Sequence, residues 1–305
     1  YGLQSYISHP FSRFQRLDFG LTWHNISYTI LDRVINIYGQ EELIKRPGSS
    51  TKFSTILPRA SWIVDNSIFG FTGPIDGYRQ NISITASPGW KTDFKFQTIK
   101  LDARKYWRFG RDYTLAVRGF FGRSQGKDAQ KFFLGGVPYL LTDFQSGTTN
   151  GKSDPSAYRS VITDTSNSNL ITDVYFTEYV YPMRGARFAE RIGTYASLFN
   201  FEVRFPFINY LALGFPLKVV LGNIRGHAFL DVGAAWDSAD EFSSNSWPDK
   251  YGSNDTAKFS PWVVTSGLGV KINLGYFLLR VESAWDKNPS GYSKPQWYLS
   301  LGPDW

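Results

Sequence analysis

Ser197-Leu198-Phe199-Asn200-Phe201-Glu202-Val203-Arg204-Phe205 is the stretch on which the fold turns. Phe199, Phe201, Val203 and Phe205 face one way; Asn200, Glu202 and Arg204 face the other. A period of two is that of a β-strand with one apolar and one charged face. A soluble sandwich would bury the apolar face and leave single charges outside. Glu and Arg two apart on the polar face predict instead a lipid-facing wall with a water-filled lumen behind it.

The same alternation recurs outward from this stretch. Tyr113, Leu115, Val117 and Phe121 stand opposite Thr114, Ala116 and Arg118. Val264, Leu268, Val270 and Ile272 stand opposite Gly267, Gly269, Lys271 and Asn273, while Phe277, Leu279, Val281 and Trp285 back onto Arg280 and Glu282. Eleven segments read as strands: 1–9, 14–29, 51–66, 77–88, 92–104, 112–123, 195–207, 217–236, 262–273, 276–286 and 295–302. Most reach or exceed the about 9–11 residues that a tilted strand needs to cross a bilayer.

Composition agrees. The 305 residues include 25 Phe, 18 Tyr and 10 Trp, yet the mean hydropathy is slightly negative. No apolar run approaches the roughly 20 residues of a membrane helix. Alternation dilutes hydropathy in a membrane barrel, so many aromatics without a hydropathy peak fit that class. There is no cysteine, which removes disulfides and thiolate metal sites. The net charge of +7 comes from scattered Lys and Arg without a basic run, so no nucleic-acid partner is expected.

Connections alternate in length. Residues 9–12, 67–76, 105–111, 208–216, 274–275 and 287–294 are short or moderate; 30–50, 124–194 and 237–261 are long, with a tight turn at 89–91 as the exception. Up-and-down membrane barrels have short periplasmic turns and longer outer loops. Trp23, Trp62, Trp90, Trp107, Trp236, Trp262, Trp285, Trp297 and Trp305 near strand ends suit interfacial girdles. An odd strand count leaves an open edge, which lipid does not tolerate, so further strands are expected upstream.

Several motifs stand in a telling order. Phe132-Phe133-Leu134-Gly135-Gly136 precedes Met183-Arg184-Gly185-Ala186-Arg187-Phe188; then come Phe201-Glu202-Val203-Arg204-Phe205-Pro206 and Phe229-Leu230-Asp231-Val232-Gly233. The chain ends on Trp297-Tyr298-Leu299-Ser300-Leu301-Gly302-Pro303-Asp304-Trp305. This order resembles the BamA-type superfamily of outer-membrane insertases, TamA-like relatives and two-partner-secretion transporters. The resemblance implies an all-β antiparallel transmembrane barrel, the carboxyl-terminal part of a sixteen-stranded one, as a single outer-membrane domain over 1–305. It also implies that the opening strands and any periplasmic domain lie upstream.

The resemblance further implies that the sixth outer loop, about 124–194, opens at Phe133, Gly135 and Gly136 and carries an inward lid motif at 183–188. Met183, Arg184, Gly185 and Phe188 would form the lid, with Glu202, Asp231 and Gly233 as its partners on the lumen wall. Trp297, Leu299, Leu301, Gly302 and Trp305 would belong to the strand at the barrel seam. Two departures stand out: Ala186 occupies the motif's aromatic position, with Phe188 two residues later, and the outer loop is enlarged. Val117-Arg118-Gly119-Phe120 also spells the lid tetrapeptide, but it lies inside an alternating strand ahead of the Phe-Phe-Leu-Gly-Gly stretch, so sequence order assigns the lid to 183–188.

The expected function is protein insertion into, or translocation across, the bacterial outer membrane. The alternative is a barrel anchor or channel carrying a periplasmic module such as a propeller, without insertase activity. The implied partners are the bilayer and lipopolysaccharide, unfolded outer-membrane or secreted clients, and periplasmic or lipoprotein accessory subunits. An enzyme is not expected: His9, His24 and His227 sit without a nucleophile or acid pattern. Nor does any cluster have metal-ligand spacing, so no metal or cofactor is expected.

Overall fold

A computed structural model of the chain describes residues 1–29, 31–35, 41–45, 47, 51–89, 94–145, 177–214, 219–242, 261–288 and 291–302. Among these, eleven strands form the wall: β1 (Gly2–Ser12), β2 (Gln15–Tyr28), β3 (Thr51–Asp65), β4 (Pro74–Pro88), β5 (Lys95–Phe109) and β6 (Tyr113–Gly126). The wall continues through β7 (Tyr195–Leu213), β8 (Val219–Trp236), β9 (Trp262–Asn273), β10 (Leu278–Asn288) and β11 (Gln296–Leu301). Each pairs antiparallel with the next in chain order. Hydrogen bonding passed from strand to strand is what lets a sheet cross hydrocarbon without exposed backbone.

The structure corrects several boundaries. Residues 208–213 are not part of a moderate turn: β7 and β8 pair from Tyr195 opposite Trp236 to Leu213 opposite Val219, with one bulge between Pro206 and Ile208. Pro74 already belongs to β4, with a short strand Ile68–Phe69 laid beside it. The long connection 30–50 holds a small hairpin of Leu31–Ile35 with Glu41–Lys45. The turn expected at 89–91 lies mostly outside the described residues, as do Trp90 and Trp305.

Alternation is realised as expected on the outside. Phe199, Phe201 and Val203 remain 43%, 41% and 40% exposed, while their neighbours Leu198, Asn200 and Glu202 are fully buried. Trp23, Trp62, Trp107, Trp262 and Trp297 also face outward. Trp236 instead stacks on Tyr195 across the β7–β8 pair, with ring centroids 5.6 Å apart.

The inside differs from expectation. Around β7, β8 and β9 the inner face meets the folded-back loop and is sealed rather than open, whereas Arg16 and Asp18 on β2 stay partly exposed. Leu198, Ala196, Ala235 and Val263 on the wall pack with Phe132, Leu134, Val180, Met183 and Ala186 from the long loop into an apolar cluster. The charges on the 200–204 stretch lie sealed beside it, because the loop folds back and takes the place of water. Its frame is a three-stranded sheet: Phe132–Leu134 in the middle, Glu178–Val180 parallel to it and Arg191–Gly193 antiparallel.

A further segment of this loop, Leu140–Gln145, leaves the lumen and pairs antiparallel along β11, from Leu140 opposite Ser300 to Gln145 opposite Gln296. The wall edge formed by the last strand therefore carries a twelfth strand drawn from the loop.

Candidate functional site: a loop docked in the lumen

The loop's descent is shaped by its glycines. Gly135 and Gly136 have φ of 124° and 96°, a region that side chains other than glycine's rarely adopt. A Cβ on Gly135 would also collide with the Arg187 carbonyl. Gly136 then exchanges backbone hydrogen bonds with Met183: Met183 N donates at 2.9 Å and Gly136 N at 3.2 Å. This bridge closes the loop on itself just above its tip.

At the tip, Arg184 is 2% exposed and meets three carboxylates from three strands. Its Nε and Nη2 donate to the two oxygens of Asp231 on β8 at 2.9 and 2.8 Å, the two-pronged geometry that a planar guanidinium favours. The Arg184 backbone N–H donates to Asp231 as well, at 3.0 Å. Nη1 reaches Glu202 on β7 at 2.7 Å and Glu282 on β10 at 3.3 Å. Beneath the guanidinium lies the ring of Phe229, 3.6 Å away, which adds a cation–π contact. Burial is the largest single influence on Arg184 and disfavours its charge. Asp231, Glu202 and Glu282 outweigh it and hold the group well above its ordinary pKa.

Wall cations complete the balance. Arg204 donates to Glu202 at 2.7 Å and Lys271 on β9 donates to the same oxygen. His227 pairs with Glu282 at 2.9 Å. Arg184, Arg204 and Lys271 thus stand against Glu202, Asp231 and Glu282, with the His227 ring hydrogen-bonded to Glu282. Desolvation and attraction nearly offset in such a cluster, so its net contribution to stability is small, whereas removing one member is costly. The arrangement ties the loop tip to β7, β8 and β10.

The full sequence matches the description "Omp85 superfamily domain" over residues 1–305. The chain belongs to the Omp85 superfamily. It is accordingly an outer-membrane β-barrel protein of the bacterial envelope. The crystal structure of BamA from Haemophilus ducreyi lacking POTRA domains 1–3 aligns with a TM-score of 0.56 and 13% identity, over 99% of this chain and 54% of that one. CdiB from Acinetobacter baumannii aligns at a TM-score of 0.41 with 14% identity, over 98% of this chain and 46% of that one. None of the curated proteins matches. The chain spans about half the length of each of these two structures, and at 13% identity the likeness to the BamA structure concerns fold alone.

Within this Omp85 barrel the residues singled out from sequence are placed unevenly. Met183, Arg184 and Gly185 lie together in the lumen with Glu202 and Asp231. Gly185, with φ of 88°, presses against β9 and β10, where a Cβ would come within 3.1 Å of Ala284 and 3.2 Å of Thr265. Gly233 makes room for side chains rather than backbone: Leu134 and the Met183 sulfur occupy the space a Cβ would need. Phe188 is not beside Arg184. It packs against Tyr179 and Tyr181, with ring centroids at 5.5 and 6.3 Å, while Ala186 takes the buried place. Phe133 likewise turns toward Tyr179, and its neighbours Phe132 and Leu134 enter the core. Trp297, Leu299 and Leu301 lie on the outward face of β11, with Gly302 just beyond it.

Four contributors escaped the sequence reading. Asn200 donates from one amide both to Pro182 O and to Asp231, each at 2.8 Å. Glu282 is the third carboxylate. Phe229 supplies the ring. Tyr298, on β11, accepts the Gly185 N–H at 3.0 Å and donates to Gln296 at 2.6 Å, so the loop tip touches the last strand directly. Alternation placed Glu282 on the inner face, the one signal available for it. Tyr298→Phe strands the buried Gly185 N–H and is expected to cost about 1–3 kcal/mol. Thermal unfolding in detergent checks it; an unchanged midpoint would remove Tyr298 from the site.

Proposed function

We propose that this barrel inserts or translocates protein at the outer membrane, using the edge of its last strand to receive an incoming strand while the docked loop sets the lumen's shape. The observation that carries the reading is the edge of Gln296–Leu301: it accepts Leu140–Gln145 as an antiparallel partner, in continuous register from Thr142 to Gln145 after a bulge between Leu140 and Thr142. β-Augmentation of this kind gives affinity through backbone hydrogen bonds and is tolerant of sequence, as a general insertase requires. Clients would be unfolded outer-membrane or secreted proteins, with periplasmic or lipoprotein subunits delivering them. On this reading residues 1–305 form one barrel domain, Arg184 with Asp231, Glu202 and Gly233 fixes the lid, and no catalytic group is needed.

The test places a photo-crosslinking amino acid at Leu299 or Leu301 in the complete gene product, with an unfolded barrel protein supplied in vesicles. Crosslinks to the client, together with faster client folding than in empty vesicles, are expected. A barrel that assembles normally but captures no client and speeds no folding would leave the anchor reading in its place.

A further inference from the structure

The tetrapeptide Val117-Arg118-Gly119-Phe120 lies in β6, where alternation turns Arg118 into the lumen and leaves it almost wholly buried. Its Nε and Nη2 donate to the two oxygens of Asp102 on β5 at 3.0 and 2.8 Å. Arg104 grips the same carboxylate from its other side, also at 3.0 and 2.8 Å. That leaves Nη1 of Arg118 as the part of the fork that points away from the wall, and it donates to the backbone carbonyl of Tyr181. The next carbonyl, Pro182 O, is held by Asn200 on β7. Two consecutive loop carbonyls are therefore gripped from two adjacent strands, immediately before Arg184 engages β7, β8 and β10.

We propose that Arg118 is a positioning residue for the loop, a second anchor separate from the Arg184 cluster, and that Asp102 orients it. The assignment rests on the loop-docking part of the reading above. A carboxylate shared by two arginines leaves an excess of positive charge, which a peptide carbonyl dipole satisfies without the desolvation cost of another anion. Arg118 is suited to this because its planar fork binds Asp102 with one edge and keeps a further donor for the loop; lysine offers a point charge and no such division. The anchor is on β5 and β6, away from β8 and β10, so it fixes the loop's path where Arg184 fixes its tip.

The chain has no cysteine, so Ala186→Cys introduces a single thiol at a site 2% exposed beside the tip. In the complete protein, assembled in vesicles, maleimide labelling of that thiol reports undocking. Arg118→Gln is expected to raise the labelling rate roughly tenfold, the effect of losing one charge-assisted hydrogen bond. Asp102→Asn should raise it by a similar factor and Arg118→Lys should restore only part of the protection. A role confined to wall stability would lower the unfolding temperature and leave native-state labelling unchanged, which overturns the proposal. Client folding separates the two readings. Faster labelling with client folding absent even in the unaltered protein keeps the anchor and removes the insertase. Unchanged labelling, in a protein that folds clients and whose Arg184→Ala variant labels fast, removes the anchor and keeps the insertase.

Discussion

Arg184→Ala is expected to release the loop tip from the lumen at a cost of about 3–5 kcal/mol, the penalty for leaving a buried charge without its partner. The size follows from what remains. Asp231 would lose three hydrogen bonds and keep only that from Asn200, while Glu202 and Glu282 would each lose a cation. Arg204 and Lys271 both already lean on Glu202 and do not reach Asp231 in the docked state. The loop's answer is to leave, carrying Met183 out of the apolar cluster and letting water in. Labelling of a cysteine at 186 and the unfolding midpoint on semi-native gels both read this. Arg184→Lys should fall between, since it keeps the charge and loses the two-pronged contact. A loop that stays protected in the alanine variant would show that packing of Phe132, Leu134 and Met183 holds it without the guanidinium.

The second large effect is on the other face of the same strand. Phe201→Arg puts a charge on the outward surface of β7 and is expected to cost about 2–4 kcal/mol if the site lies near the bilayer midplane. Phe201→Leu should cost far less, because lipid asks only for an apolar side chain. Urea unfolding in phospholipid vesicles measures the difference. Equal stability of the arginine and leucine variants would mean that this face does not touch lipid. The contrast with Glu202 is instructive: one residue further along, a charge is required rather than forbidden, and its partners come from the loop and from β9.

The wall was legible in the sequence because a period of two survives in β6, β7, β9 and β10. Residues 195–205 carry it without interruption, and β9 and β10 repeat it. Strand ends were less legible: Ile208 to Leu213 lose the charge contrast, so nothing in their order distinguishes a strand from a turn. Arg184 and Asp231 could be brought together only through resemblance, since no local rule links residues that far apart in sequence. Glu282, Tyr298 and Asn200 join the site through nonlocal packing, and each reads locally as one more inward polar group. The inner face around 200–204 was misjudged for a physical reason. Polarity at 200–204 looks the same whether its partner is water or a buried guanidinium, and only the position of Leu198 and Ala196 beside it, with apolar loop residues above, separates the two. The segment Leu140–Gln145 gives no warning of its role because its pairing with β11 depends on geometry, not on alternation.

That pairing has a mechanical consequence. Leu134 is locked in the lumen and Leu140 sits on the border of the last strand, with six peptide steps between them. A fully stretched backbone of that length spans at most about 20–22 Å. The link acts as a leash of that maximum length: a lid withdrawn together with Leu134 beyond its reach must tug Leu140–Gln145 off its neighbour. Undocking within and unzipping at the rim would then occur as one movement.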